Sequence, residues 1–202
     1  MKKPRAVLFD AYGTLFDVYG IGVLAENLFP GQAEGLAVPW RHKQTEYRRL
    51  VPTSDDGAHY RPFRELTQAA LRYACKRLSL PLTDDAQRQL MQHYRELPAF
   101  PEVREVLQAL RQLGVTTGIL SNGDPPMLQA AVESAGLAPL LDHVLSVDRL
   151  RKYKTHPQAY ALGPQATGLA AADILFVSCN GWGAVAATWF GYCTLWVNRY
   201  RL

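Results

Sequence analysis

The stretch RAVLFDAYGTLFD, residues 5–17, carries the strongest chemical signal in the chain. A short apolar run, Ala6, Val7, Leu8 and Phe9, delivers the carboxylate of Asp10 to the point where the run breaks into a loop holding Gly13 and Thr14. A buried parallel strand that ends in an acid suits a nucleophile, because open α/β sheets bind ligands at the carboxyl ends of their strands. The same stretch also fits a loop aspartate that caps the next segment. Two further apolar runs end in small polar residues: Ser121, Asn122 and Gly123 after one, Ser178, Cys179 and Asn180 after the other. Either trio alone is an ordinary turn signal. Three such ends in one sheet, with Lys154 between the second and the last, point to a site. If Lys154 faces Asp10 it lowers the carboxylate's pKa and keeps it ionised, as a nucleophile requires; otherwise it is one more solvated lysine like Lys152. Attack of an aspartate on carbon gives an ester, which water must then open at the carboxylate carbon.

The elements that must position these groups follow from periodicity. After the first strand, residues 18–75 read as mainly helical, with breaks at Pro30-Gly31, Pro39, Pro52 and Pro62. Trp40–Leu50 has helical spacing with Pro39 just before it, and ELTQAALRYACKRL is an amphipathic helix. Thr53–Phe63 is polar and rich in turn formers, so it reads as an exposed loop or the start of the next helix at Pro62. From Pro101 onward helix and strand alternate: EVREVLQALRQLG, the strand VTTGILSNG, MLQAAVESAG, the strand DHVLSVD, HPQAYALGPQATG, the strand AADILFVSCN, WGAVAATWFG and the strand CTLWVNR. Gly163-Pro164 is expected to interrupt the HPQAYALGPQATG helix. Strands separated by helices imply βαβ units and a parallel sheet, with the polar strand ends collected at one edge.

Composition narrows the class. With 202 residues, 48% of them hydrophobic, the chain can bury one good core and is expected to fold as a globular protein. Lys and Arg number 22 against 18 Asp and Glu, a net +4 spread along the sequence. That is too weak to argue for a nucleic-acid partner, although it favours small anionic substrates. Cys75, Cys179 and Cys193 are odd in number and too widely spaced for a zinc site, which suggests reduced thiols in a cytoplasm. No run reaches the length a membrane span or a signal peptide needs, so no membrane partner is expected. The five histidines fit no ligand spacing and read as surface or turn residues.

FDAYGTLFD, WRxKQxEY, LSNG, YKxxPxxY and FVSxNxW, in this order, resemble the L-2-haloacid dehalogenases of the haloacid dehalogenase (HAD) superfamily, over residues 5–199. The resemblance implies an α/β fold: a parallel-sheet, Rossmann-like HAD core over 1–17 and 98–202, with a helical cap over 18–97 inserted after the first strand. It implies hydrolytic dehalogenation of short-chain (S)-2-haloacids to (R)-2-hydroxyacids through an aspartyl ester, without metal or other cofactor, in a protein that is often a homodimer. Asp10 would displace halide from the carbon beside the substrate carboxylate. Thr14, Lys154 and Ser178 would hold that aspartate in place. Ser121, with backbone amides around Ala11 and Tyr12, would bind the substrate carboxylate, and Arg41, Asn122 and Trp182 would cradle the halide. Tyr160 and Asn180 would complete the polar shell. Read from their own surroundings in sequence, Trp182 and Tyr160 also fit core aromatics, and Arg41 fits an exposed helical arginine.

The phosphatases of the superfamily carry an acid two residues after the nucleophile and hold magnesium. Here that residue is Tyr12, and the last motif runs Ser178, Cys179, Asn180, Gly181, Trp182, Gly183 without an acidic pair, a poor offer to a hard cation. The dehalogenase pattern itself is broken at Gly183, where the family carries an aspartate that helps prepare the hydrolytic water. Loss of one general base commonly costs about 10² to 10⁴ in rate. Asp124, two residues beyond Asn122, is the acid nearest by motif that could compensate. Cys179 and Thr155 replace a usual serine and proline, and the chain stops soon after its last strand where the family continues, which would expose a sheet edge for a partner subunit. Beside the dehalogenase reading stand two others: a related C–X or ring-opening hydrolase on another small carboxylate, and a non-turnover homologue that binds or traps substrate.

Overall fold

The structure, a computed structural model, describes residues 3–32, 35–53, 57–199 and 201. Its centre is the strand β1 (Ala6–Phe9), whose four residues are all buried. A run that is apolar on both faces is what a parallel strand covered by helices requires. β1 pairs in parallel with β2 (Thr116–Ser121) on one side and β4 (Ile174–Ser178) on the other, and β3 (His143–Ser146) and β5 (Cys193–Trp196) complete the order β3-β2-β1-β4-β5. Phe9 lies opposite Ile119 and Val177. Asp10, just past the end of β1, therefore lies level with Leu120 and Ser178 at the carboxyl ends of β2 and β4, at one edge of the sheet.

Five helices separate β1 from β2: α1 (Gly22–Leu28), α2 (Ala37–Leu50), α3 (Phe63–Arg77), α4 (Asp84–Arg95) and α5 (Val103–Gln112). The alternation then continues with α6 (Pro125–Ser134) before β3, α7 (Pro157–Thr167) before β4 and α8 (Gly181–Phe190) before β5. The fold is the α/β parallel-sheet core with inserted helices that the strand and helix signals imply. α4 was not among the helices read from sequence, although Thr83 caps it by accepting from Ala86 N at 3.1 Å, with Asp84 and Asp85 in the first turn. Of the polar loop expected over 53–63, residues 54–56 lie outside the described residues. α3 begins at Phe63, just after Pro62.

α2 buries Trp40, Arg41, Gln44 and Arg48 along one face. Trp40 Nε1 donates to Thr67 O at 2.8 Å, and Gln44 Nε2 donates to Thr67 Oγ1 and to the Tyr94 hydroxyl, so α2 is locked to α3 and α4. The Tyr12 ring packs between Phe63 and Tyr94, with centroids 5.1 and 5.6 Å away, and ties the loop after β1 to these helices. Beyond β3, the Tyr60 hydroxyl donates to Asp148, and the Tyr153 hydroxyl donates to Arg61 O at 2.7 Å. The inserted helices thus rest directly on the loop that carries Lys154.

One expectation is corrected: α7 runs through Gly163 and Pro164 without interruption. Proline cannot donate to the carbonyl of Tyr160, four residues earlier, and an unpaired buried carbonyl would normally end the helix there. Tyr192 supplies the missing donor, its hydroxyl reaching Tyr160 O at 2.5 Å. Gly163 makes room for it, since a Cβ there would stand 2.1 Å from the Tyr192 hydroxyl oxygen and 2.6 Å from Leu8 Cδ1. Strand boundaries are also tighter than the apolar runs: the last strand ends at Trp196, before VNR. Among the described residues no helix is long and apolar enough to cross a membrane.

Candidate active site

Asp10, 7% exposed, sits where β1 opens into its loop, and every group that touches its carboxylate is a donor. Oδ1 accepts from Lys154 Nζ at 2.8 Å and from Ala11 N at 3.0 Å. Oδ2 accepts from Asn180 Nδ2 at 2.8 Å and more weakly from Ser178 Oγ at 3.5 Å. Burial alone would raise the pKa of Asp10. The charge and hydrogen bond of Lys154, with the charges of Arg48 and Arg41, outweigh it and hold the group below the ordinary value of 3.8. The result is an ionised carboxylate kept out of bulk water, which is the state a nucleophile needs.

The groups around it are fixed in turn. Lys154 Nζ also donates to Leu120 O at 2.5 Å, and its backbone N donates to Asn122 Oδ1 at 2.8 Å. Asn122 Nδ2 returns a long bond of 3.4 Å to Lys154 O. Asn122 therefore holds the lysine loop with both ends of its amide. Thr14 Oγ1 accepts from Cys179 N at 2.9 Å, which binds the loop after β1 to the end of β4. Ser178 Oγ accepts from Asn180 N at 3.1 Å and so shapes the turn that aims Asn180 at Asp10. Ser121, fully buried at the end of β2, accepts from Gly123 N at 3.0 Å. Tyr160 lies beneath the site, packed edge-on to Phe176, with its hydroxyl donating to Gly183 O at 3.0 Å.

Arg41 is buried, not a solvated helical arginine. Its Nη1 donates to Gln44 Oε1 at 2.7 Å and its Nη2 to Tyr12 O at 2.9 Å. Trp182 is half-buried, with the guanidinium of Arg48 stacked 4.4 Å from its ring centre. Arg48 is a site residue that the sequence reading missed. It is buried, and its Nε and Nη2 have no hydrogen-bond partner among the described residues. Burial, with Arg41 adding, pushes its pKa down to about 10, so it stays charged at neutral pH. Its position one heptad beyond Arg41, on the face that also carries Gln44, was the available signal. A cleft of about 750 Å³ opens beside the site, lined by Tyr19, Arg41, Arg49, Asn180, Trp182 and Trp196 among others.

The donor set does not fit a divalent cation. The side chains touching Asp10 include no second carboxylate, Lys154 occupies Oδ1, and Tyr12 is a stacked aromatic at the position of a second acid. Among the described residues no group of three or more His, Cys, Asp or Glu converges elsewhere. Asp124 does not serve as a free acid either. Its Oδ1 accepts from Met127 N at 3.2 Å, capping α6, and its Oδ2 accepts from Arg64 N at 2.9 Å. Gly183, where the pattern lacks an acid, has its missing side chain directed at the turn that holds Asp10: a Cβ there would lie 3.3 Å from Ser178 Oγ and 3.7 Å from Asn180 Cβ.

A family model described as haloacid dehalogenase-like hydrolase matches residues 4–191. The chain is 42% identical over 200 residues to haloacetate dehalogenase H-2 of Moraxella sp. (strain B), covering 99% of this chain and 88% of that protein. It is 40% identical over 199 residues to the (S)-2-haloacid dehalogenase of Pseudomonas sp. (strain YL), covering 98% and 84%. Among solved structures, one L-2-haloacid dehalogenase superposes with a TM-score of 0.94 at 56% identity, over 98% of this chain and 88% of that one. The L-2-haloacid dehalogenase of Xanthobacter autotrophicus with chloropropionic acid covalently bound superposes with a TM-score of 0.89 at 38% identity, over 97% and 78%.

Proposed function

Because the chain belongs to the haloacid dehalogenase-like hydrolases, we propose that it hydrolyses the carbon–halogen bond of short (S)-2-haloacids to (R)-2-hydroxyacids, with Asp10 as nucleophile. The observation that carries this reading is the buried, ionised Asp10, surrounded by donors alone, with an aromatic at the position where a phosphoryl-transferring relative holds its second acid. Two relatives carry names of enzymes acting on haloacetate and on (S)-2-haloacids, and a related structure holds chloropropionic acid covalently.

The two carboxylate oxygens divide the work. Oδ2 carries the weaker donor set and is the attacking atom: as its bond to the substrate's α-carbon forms, the carbon–halogen bond breaks and halide leaves with the electron pair. Backside displacement inverts the carbon. Oδ1 becomes the ester carbonyl, and Lys154 and the Ala11 amide hold the oxyanion that forms when water adds to the ester carbon. Collapse expels the hydroxyacid alkoxide, which takes up one proton of the attacking water; the other passes to solvent, and Asp10 returns as a carboxylate that holds a water oxygen. Ser121, at the end of β2, and the backbone around Ala11 and Tyr12 bind the substrate carboxylate in this reading. Arg41, Asn122 and Trp182 surround the departing halide, Asn122 and Arg41 chiefly by fixing the walls of the cradle. With Gly183 in place of an acid, opening of the ester is the slow step.

Incubation with (S)-2-chloropropionate, following chloride and intact mass together, tests the reading. Chloride release with a transient adduct on Asp10, and ¹⁸O from labelled water in Asp10 after one turnover, is the expected result. No chloride, or chloride release that survives Asp10→Asn, excludes it, and one equivalent of chloride with a permanent adduct identifies a trap rather than an enzyme. We also take the protein to be a cytoplasmic homodimer. The free thiols Cys75, Cys179 and Cys193 support the compartment, and the exposed Leu195 of the edge strand β5, with the exposed Trp189 of α8, supports the association, which sedimentation would detect.

A further inference from the structure

We propose that Arg48 is the seat of a second carboxylate, and that the preferred substrates are 2-halodicarboxylates of the chlorosuccinate type. The inference rests on the dehalogenase reading and narrows its substrate class.

Four observations carry it. First, Arg48 is 4% exposed, and its Nε and Nη2 have no hydrogen-bond partner among the described residues. Two buried N–H donors without an acceptor are costly, and a ligand that accepts from both removes that cost. Second, Nε and Nη2 form one edge of the planar guanidinium. Their two N–H bonds run parallel and match the two oxygens of a carboxylate, whereas a halide ion needs only a single point of contact. The guanidinium carbon lies over the Trp182 ring, 4.4 Å from its centre.

Third, the neighbouring arginine is already occupied. Arg41, on the same face of α2, spends Nη1 on Gln44 and Nη2 on the Tyr12 carbonyl, so the two arginines are not duplicates. Fourth, the sheet order separates the two anion seats. Ser121 ends β2 and Trp182 follows β4, and these strands flank β1 on opposite sides. A substrate whose α-carbon stands over Asp10 can direct its α-carboxylate toward Ser121 and a methylene carboxylate toward Arg48. Charge agrees with this division. Lys154, Arg41 and Arg48 are three buried cations, and Asp10 is the acid acting on each of them. A monocarboxylate leaves one positive charge over, and a dicarboxylate balances the site.

The test compares chloride release from (S)-2-chlorosuccinate and (S)-2-chloropropionate in the native protein, Arg48→Met and Arg48→Lys. The native protein is expected to favour chlorosuccinate in kcat/KM. Arg48→Met is expected to cut that preference by about 10²-fold, and Arg48→Lys, which keeps the charge without the fork, to restore part of it. Native protein that shows no preference for chlorosuccinate overturns the proposal. So does an equal loss on both substrates accompanied by a lower melting temperature, which would assign Arg48 a structural role. Calorimetric binding of succinate and propionate needs no turnover. Tighter succinate binding that Arg48→Met abolishes sustains the seat even if neither chloroacid releases chloride, in which case the dehalogenase reading alone fails. Succinate binding no tighter than propionate removes the seat whatever the chemistry does.

Discussion

Lys154 Nζ stands 2.8 Å from Asp10 Oδ1, although the two residues are 144 positions apart in sequence, and both side chains are buried. Removing one partner of such a pair leaves the other uncompensated, which typically costs about 3–5 kcal/mol. In this site Arg48 and Arg41 still act on Asp10, so the loss should fall on chemistry more than on folding. Lys154→Met is expected to raise the pKa of Asp10 and to move the acid limb of kcat/KM for chloride release upward. Single-turnover alkylation measured across pH checks this, and an unmoved acid limb would show that the arginines alone keep Asp10 ionised.

The same pair sets a pH dependence of stability. The folded pKa of Asp10 lies below its unfolded value near 3.8, so the carboxylate stabilises the fold above the unfolded value and loses that contribution as pH falls through the folded one. In urea unfolding, the part of the acid loss that Asp10→Asn removes should therefore lie at pH below about 3.8. Loss of the Asp10 contribution at higher pH would mean that burial outweighs Lys154.

What sequence made legible was whatever sits at strand ends. Asp10, Ser121, Ser178 and Asn180 could be placed together because apolar runs stop at them and parallel strands share an edge. Lys154 was legible only as a conditional partner, since its loop lies between two such strand ends but nothing in the sequence turns its side chain toward Asp10; the structure makes the pair at 2.8 Å. Arg48 escaped because a helix face of Trp, Arg, Gln and Arg reads as partly solvated, whereas in the fold that face is buried and the Arg48 guanidinium lies over Trp182. The continuous α7 escaped for a related reason. The donor that replaces the proline's missing N–H comes from Tyr192, on the far side of β4, and no local pattern announces it.

That replacement yields a structural prediction. Tyr192→Phe leaves the buried Tyr160 carbonyl unpaired and should destabilise the protein by about 1–3 kcal/mol. Gly163→Ala drives a Cβ to 2.1 Å from the Tyr192 hydroxyl oxygen and should cost a similar amount through overpacking. The two changes strain the same contact, so the double variant should lose less than the sum, which a double-mutant cycle by thermal unfolding would measure.

Asp124 tests which acid, if any, assists the water. Both of its oxygens accept backbone bonds, from Met127 N and Arg64 N, and Asn can keep one of them. Asp124→Asn should therefore lower the melting temperature while leaving the rate of ester opening unchanged. A stalled ester in this variant would make Asp124 the base.

Gly183 offers the converse experiment. A side chain there points toward Ser178 Oγ and Asn180, the residues that hold Asp10 Oδ2, and its carbonyl is anchored by Tyr160. The first-turn position of α8 favours an acid through the helix dipole. The nearest obstacle is Ser178 Oγ at 3.3 Å, so a small shift of a hydroxyl is the steric demand. Gly183→Asp should leave alkylation of Asp10 little changed and accelerate opening of the ester by about 10² or more, the usual contribution of a general base. Rapid-quench mass spectrometry separates the two steps. The native protein should accumulate adduct and the variant should not. A variant that still accumulates adduct at the native rate would place the slow step elsewhere than in water activation.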